Sequence, residues 1–211
     1  MKLAVLGATG QIGRCIVNEA LWRGHDVTAL ARHAKPEPSS SGRLELQAVD
    51  ATRRDELEAA IHGHDAVVSA VGPREQSAAV IVEVTRALAA AAMRAHVRRV
   101  LLIGGAGTLY VRPGVELLAA RIFPADIHAI ALAHHEALSL WRRVKELEWT
   151  VVSPPAEVVP GKRTGQYRTG HDDLLVDEAG ISHISIADLA VAVLDTLERF
   201  NHVRERVTFS Y

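Results

Sequence analysis

Leu3-Ala4-Val5-Leu6 is an unbroken apolar run, and it stops at a glycine. Beyond Gly13 the apolar positions change period: Cys15, Ile16, Val17, Ala20 and Leu21 fall on one face of a helix. Gly24-His25-Asp26 closes that helix, and Val27-Thr28-Ala29-Leu30 reads as a second strand. The same alternation of short apolar runs and helical stretches continues. Strands are predicted at Leu44–Val49, Ala66–Val71, Val100–Ile103, Thr150–Ser153 and Arg206–Phe209. Helices are predicted at Asp55–Ile61, Ser77–Arg94, about Ala129–Lys145 and Ala187–Phe200. Ala66-Val67-Val68-Ser69-Ala70-Val71 is nearly continuous in its apolarity, as buried parallel strands are. Strands alternating with helices predict an α/β, doubly wound three-layer sandwich with a mostly parallel sheet in the order 3-2-1-4-5-6-7. The whole of residues 1–211 reads as one domain, in which about 154–185 form a substrate-facing extension. Within that extension 161–170 reads as a loop or hairpin and Leu174-Leu175-Val176 as a short strand. The strand at 206–209 is placed at an edge.

The turn between the first strand and helix is Gly7-Ala8-Thr9-Gly10-Gln11-Ile12-Gly13. Strand, glycine turn and helix in this order form the setting a dinucleotide loop requires. Gly7 permits the tight turn, Gly10 lets a pyrophosphate approach the backbone, and Gly13 lets the helix pack on the strand. The helix start adds free N–H groups and a partial positive charge. Thr9, Gln11 and Ile12 belong to the same candidate loop. The second strand ends at Ala31-Arg32, where NAD enzymes place an acid against the ribose hydroxyls. Arg32 stands there instead, and Arg14 follows the third glycine. Two guanidinium groups suit a 2′-phosphate. NADP is therefore the expected cofactor, with NAD as the alternative.

The spacing Gly-x-x-Gly-x-x-Gly resembles the short-chain dehydrogenase/reductase superfamily, in the branch that opens Gly-Ala-Thr-Gly-x-x-Gly. That resemblance implies an adenine-facing role for Asp50 and Ala51, and a place beside the nicotinamide ribose for Ala70, Val71 and Gly72. Asp50 reads equally well as a helix N-cap. The superfamily's Tyr-x-x-x-Lys is missing: four residues before Lys145 and Lys162 stand Trp141 and Val158. Glycine occupies the usual serine position in Gly104-Gly105-Ala106-Gly107, where the glycines suggest close approach of a ligand or a neighbouring backbone. These residues, with Leu132–Leu138, Trp149–Pro154, Thr164–Arg168 and Ile184–Ala190, resemble the group named NADH-flavin reductases, and more distantly the flavin reductase/biliverdin reductase type. The resemblance spans nearly the whole chain. It implies that the turn at Pro154 covers the nicotinamide, and Gly104 joins the cofactor set.

Residues 108–130 are long for a connection, and Tyr110, Leu117, Leu118, Ile122 and Phe123 make them apolar. They read as a partial lid over the nicotinamide, or else as a packed surface segment with a small core of its own. His134, His135 and Tyr110 are the candidate catalytic side chains. Among eleven histidines, the pairs placed to share a metal are His128 with His135 and His62 with His64. No third ligand stands at a convincing spacing, so no metal site is expected.

The 211 residues carry 48% hydrophobic and 23% charged side chains, ordinary for a globular protein. The formal net charge of −1 gives no general attraction to nucleic acid or membrane. Cys15 is the single cysteine, so no internal disulfide forms, and a reducing, cytoplasmic setting is expected. No run reaches membrane-spanning length, and no signal peptide is expected before a strand that begins at Lys2. The partner expected is a small molecule, and the oligomeric state stays open between monomer and dimer. Together these features predict an NADP-dependent oxidoreductase that passes hydride to a conjugated acceptor such as a flavin or quinone. Flavin is then a substrate and not a resident cofactor. A non-catalytic NADP(H)-sensing regulator is the alternative.

Overall fold

The computed structural model describes residues 1–33, 42–73, 77–120 and 125–211. The polar loop expected over 34–43 falls, except for its last two residues, outside this set, as do Ile122, Phe123 and Pro124. The strands are β1 (Lys2–Leu6), β2 (Asp26–Ala31), β3 (Leu44–Ala48), β4 (Ala66–Ser69), β5 (Arg99–Ile103), β6 (Tyr110–Arg112), β7 (Val115–Glu116), β8 (Glu148–Val152), β9 (Glu157–Val159), β10 (Arg168–Gly170), β11 (His183–Ser185) and β12 (Glu205–Ser210). The helices are α1 (Gln11–Trp22), α2 (Arg54–Ile61), α3 (Ala79–Arg94), α4 (Ala125–Trp141) and α5 (Ile186–Glu198).

One eight-stranded sheet runs in the order β10-β12-β8-β5-β4-β1-β2-β3. Its seven parallel strands keep the expected order when counted along the chain. The difference lies at the edge: β10 pairs antiparallel with β12, through Thr169 opposite Phe209. The strand at 205–210 is therefore flanked on both sides and is not the edge. Successive residues of a strand point to opposite faces, and the core divides accordingly. Leu3 and Val5 pack with Ile16, Val17 and Ala20 of α1 and with Leu189, Val193 and Leu197 of α5. Ala4 and Leu6 pack with Leu57 of α2, Leu88 of α3 and Trp141 of α4. Cys15 lies against the first of these layers, as a small packing residue. Arg23 ties α1 to α5, donating to Asp195 and Glu198 as well as to Glu19 on its own helix.

Leu174-Leu175-Val176 is not a strand. Asp173 makes one bridge to Tyr110, and the chain then turns away. The run lacks a partner strand to complete a ladder; Leu174 and Leu175 are half-buried and Val176 is exposed. Residues 108–120 form a hairpin, β6 with β7, and a short 3₁₀ turn. Leu109, Leu117 and Leu118 are buried beneath it. The Tyr110 N–H donates to the Asp172 carbonyl at 2.8 Å, and the Leu174 N–H to the Tyr110 carbonyl at 2.8 Å. The described part is thus a packed segment docked on the 171–174 loop, and none of it borders the cleft described below.

Candidate functional site

At the C-terminal ends of β1, β2 and β4 the sheet opens into a cleft of about 640 Å³, solvent included. Gly7, Thr9, Gly10, Arg32, Asp50, Ala51, Ala70, Val71 and Gly72 all line it. This is the crevice in which open α/β sheets bind ligands. The turn is built by its own backbone. Gly7 and Ala8 N–H both donate to the Leu30 carbonyl, and Gly10 N–H donates back to Gly7 at 2.9 Å. Gly7 has φ +73°, and a Cβ there would stand 2.6 Å from the Ala70 carbonyl oxygen. A Cβ on Gly13 would overlap the Gly7 carbonyl, so the helix can lie on the turn only because that side chain is absent. Gly10 caps α1 in an extended conformation and makes no side-chain cap. The first N–H groups of a helix have no intrahelical partner, and Gly10, at the start of α1, lines the cleft. That is the cradle a pyrophosphate needs, and the residues present fit a dinucleotide.

The opposite wall comes from the ends of β3 and β4. Asp50 is not the helix cap that its position also suggested, because α2 begins after Arg53. Its carboxylate instead accepts from the Thr52 hydroxyl at 2.7 Å and the Thr52 N–H at 3.0 Å. These bonds hold the carboxyl below the ordinary aspartate range, and Arg32 and Arg53 add to the effect. Thr52, Val80 and Val84 also border the cleft. Sequence alone does not mark them, since a threonine in a turn and valines on a helix carry no distinctive motif.

Gln11, Ile12 and Gly13 form the first turn of α1, behind the loop. Arg14 lies on the other flank of the turn, where it shares a shallow groove with Thr9, Asn18, Ala31 and Leu46. Arg14 and Arg32 therefore stand on two grooves that meet at Thr9 and Ala31. Pro154 is buried behind β8 and does not border the cleft.

Past Val71 and Val84 a second hollow runs between the sheet and the α3–α4 layer. Ser69, Thr85, Gly104, His134 and Trp141 line it. The indole N–H of Trp141 is buried there without a hydrogen-bond partner. His134 packs its ring on Gly105, where a Cβ would come within 2.9 Å of the ring carbon Cδ2. Gly104 makes room for Val151, and Gly107 for Ala131. The close approach signalled by these glycines is thus by neighbouring side chains, and an imidazole stands over the usual serine position. Burial of that imidazole pushes its pKa down to about 4, so it is neutral at pH 7.

His135 and Tyr110 are not brought to this site. His135 is exposed, with Nε2 3.6 Å from a Glu116 carboxylate oxygen. The Tyr110 ring lies beside the Arg206 guanidinium, 5.6 Å from its centre. His64 is buried in the core, with Nε2 2.8 Å from the Thr28 hydroxyl and Nδ1 3.0 Å from the Ile61 carbonyl. Its ring is occupied, which removes the His62–His64 pair as metal ligands.

The sequence profile of the NAD(P)H-binding family matches residues 7–197, from the first glycine of the turn to the end of α5. The chain belongs to the NAD(P)H-binding family. Among solved structures, it is 43% identical to a "putative exported protein" of Burkholderia pseudomallei, with all of both chains covered and a TM-score of 0.91. It is 38% identical to a "putative epimerase" of Bacteroides thetaiotaomicron, covering 100% of this chain and 96% of that one, with a TM-score of 0.90. It is 33% identical to a "putative NADH-flavin reductase" of Streptococcus pneumoniae, covering 100% and 99%, with a TM-score of 0.84. No helix among the described residues is long and apolar enough to cross a membrane.

Proposed function

We propose that the protein is an NADP-dependent oxidoreductase whose acceptor is a conjugated molecule of the flavin or quinone class. The observation that carries this reading is the site's lack of a strong acid. The hollow beside Gly104 holds a neutral imidazole, a serine, a threonine and an indole, and among the described residues neither tyrosine nor lysine lines it. When bound, the reduced nicotinamide supplies a hydride. A ketone receiving it becomes an alkoxide and needs a proton at once from a positioned acid. A quinone spreads the charge over its ring and takes its proton from water, so that NADPH, a proton and quinone give NADP⁺ and hydroquinone.

The chain's own residues supply binding and orientation. The α1 N-terminus and the glycine turn hold the pyrophosphate, Asp50 and Ala51 face the adenine, and Ala70, Val71 and Gly72 bound the ribose on the nicotinamide side. Arg32, with Arg14 across the turn, receives the 2′-phosphate. His134 offers a neutral N–H to the acceptor and no net charge. A site of this kind serves a cytoplasmic reductase supplied with NADPH.

The "putative epimerase" relative raises sugar epimerisation by transient oxidation as a competing activity. That chemistry needs the acid–base pair which Trp141 and Val158 replace in sequence. NADPH turnover with a panel of flavins, quinones, ketones and nucleotide sugars tests the reading. Turnover is expected with the first two classes only. Efficient ketone reduction would overturn it. Tight NADP(H) binding with no acceptor turned over would favour a redox sensor.

A further inference from the structure

Far from the cleft, two histidines and a glutamate converge from separate parts of the chain. We propose that His171, His202 and Glu205 form a binding site for a divalent transition metal, zinc by ligand chemistry, that clasps the antiparallel edge of the sheet. One ligand atom from each lies within 4.8 Å of the other two. His202 Nδ1 is 3.3 Å and His171 Nδ1 3.9 Å from Glu205 Oε2. Zinc bonds of about 2.0–2.1 Å in tetrahedral array place neighbouring ligand atoms about 3.3–3.4 Å apart. The first separation already matches, and the second closes with a small turn of His171, which is exposed. The two rings meet edge to face at 5.6 Å between centroids. Two imidazoles and one carboxylate, with a fourth position open to water, suit zinc and its neighbours and not calcium or magnesium.

The segments that carry the ligands are held from beneath. His202 has φ 54°, a left-handed conformation that is strained for a residue with a Cβ. It is kept there by the Thr150 hydroxyl, which donates to its carbonyl at 2.6 Å. The preceding Asn201 carbonyl accepts from buried Arg99 at 2.9 Å, and Arg204 N–H donates to the Trp149 carbonyl at 2.6 Å. On the other side Asp172, next to His171, is paired with buried Arg206. The backbone that carries the three ligands is thus held by β5, β8 and β12. Because β12 runs parallel to β8, its first residue, Glu205, lies at the opposite end of the sheet from the nucleotide crevice. The bound metal would join the end of β10 to the start of β12 and take no part in hydride transfer.

Isothermal titration of the tag-free protein with zinc chloride tests this, with cobalt(II) absorption as a geometric readout. One saturable equivalent, a tetrahedral cobalt spectrum and a raised melting temperature are expected. His171→Ala, His202→Ala and Glu205→Gln should each weaken zinc at least tenfold while NADPH affinity stays unchanged. His171→Ala removes an exposed side chain and keeps the test independent of folding. Absence of a saturable equivalent would overturn the proposal. So would equal zinc binding by the His171→Ala/His202→Ala double variant, which would place the ion on other histidines.

Discussion

At the scale of single residues, the turn works because of what its glycines lack. Gly10 has φ −73° and ψ 167°, which a β-branched residue tolerates. Gly10→Val should therefore fold. Its side chain would stand over the helix N-terminus and displace the pyrophosphate from at least two charge-assisted hydrogen bonds, worth about 1.5–3 kcal/mol each. NADPH affinity should fall by about 3 kcal/mol or more with the melting temperature nearly unchanged; normal binding by calorimetry would reduce the loop to a mere turn. His134 carries a different expectation. Its folded pKa lies near 4, below the usual 6.5. The folded state therefore favours the neutral ring, and stability is lost as pH falls from about 6.5 towards 4. His134→Gln should flatten that part of the stability profile. The rate profile of the wild type should show no break near 6.5, and a break that disappears in His134→Gln would contradict the neutral assignment. His135→Ala should leave the rate unchanged, since that side chain faces Glu116. The roles of Gly7 and Gly13 were legible in the sequence because they are backbone roles. The difference between His134 and His135 was not, because adjacent residues on a helix point about 100° apart and only the packed neighbour settles which one is inside.

At the scale of elements, the first turn of α5 organises the loop that precedes β10. Asp188 is fully buried, and its carboxylate accepts from Thr164 N–H, the Thr164 hydroxyl, Gly165 N–H and the Tyr211 hydroxyl. Ser185 caps the same helix by accepting from Asp188 N–H at 2.9 Å. Burial alone would raise the carboxyl pKa, but these bonds outweigh it and hold it below the usual value. The stability it gives is present at neutral pH and is lost in acid, as pH falls through that lowered value. Asp188→Ala leaves several donors without a partner, each costing about 1–3 kcal/mol. A loss of about 3–5 kcal/mol in chemical denaturation is expected; less than 1 kcal/mol would mean the loop holds without it. The helices themselves were readable from their apolar period, although α4 begins near Ala125 and ends at Trp141, offset from the 129–145 expected. Five strands of two or three residues among the described ones, β6, β7, β9, β10 and β11, left no readable period. β9, β10 and β11 are defined by partners far along the chain, and that information is absent from any local window. The histidine–glutamate cluster was hidden for the same reason: spacing finds ligands that share an element, and His171 sits on another loop from His202.

At the scale of the whole molecule, ligand and fold are linked by mass action. A nucleotide that binds only the folded chain at a hundredfold its Kd adds about 2.7 kcal/mol. For a protein of this size that raises the melting temperature by about 5–10 °C. NADPH should produce this shift at lower concentration than NADH, because the proposed contact of Arg32 with the 2′-phosphate would be worth about 1–3 kcal/mol. Equal shifts at equal concentration, or a larger one with NADH, would sink the NADP assignment. The sheet order has a further consequence, one that concerns time. The turn and strand ends that bound the cleft come almost wholly from β1 through β4, whereas β8 waits for β12 to cover its flank. A ribosome adding ~5–20 residues per second needs on the order of ten seconds or more to travel from the one to the other. During that interval the nascent chain already carries the β1 to β4 residues that line the cleft, while half of its sheet is still unmade. The residues that would hold a nucleotide are thus made before those on the side that would receive an acceptor.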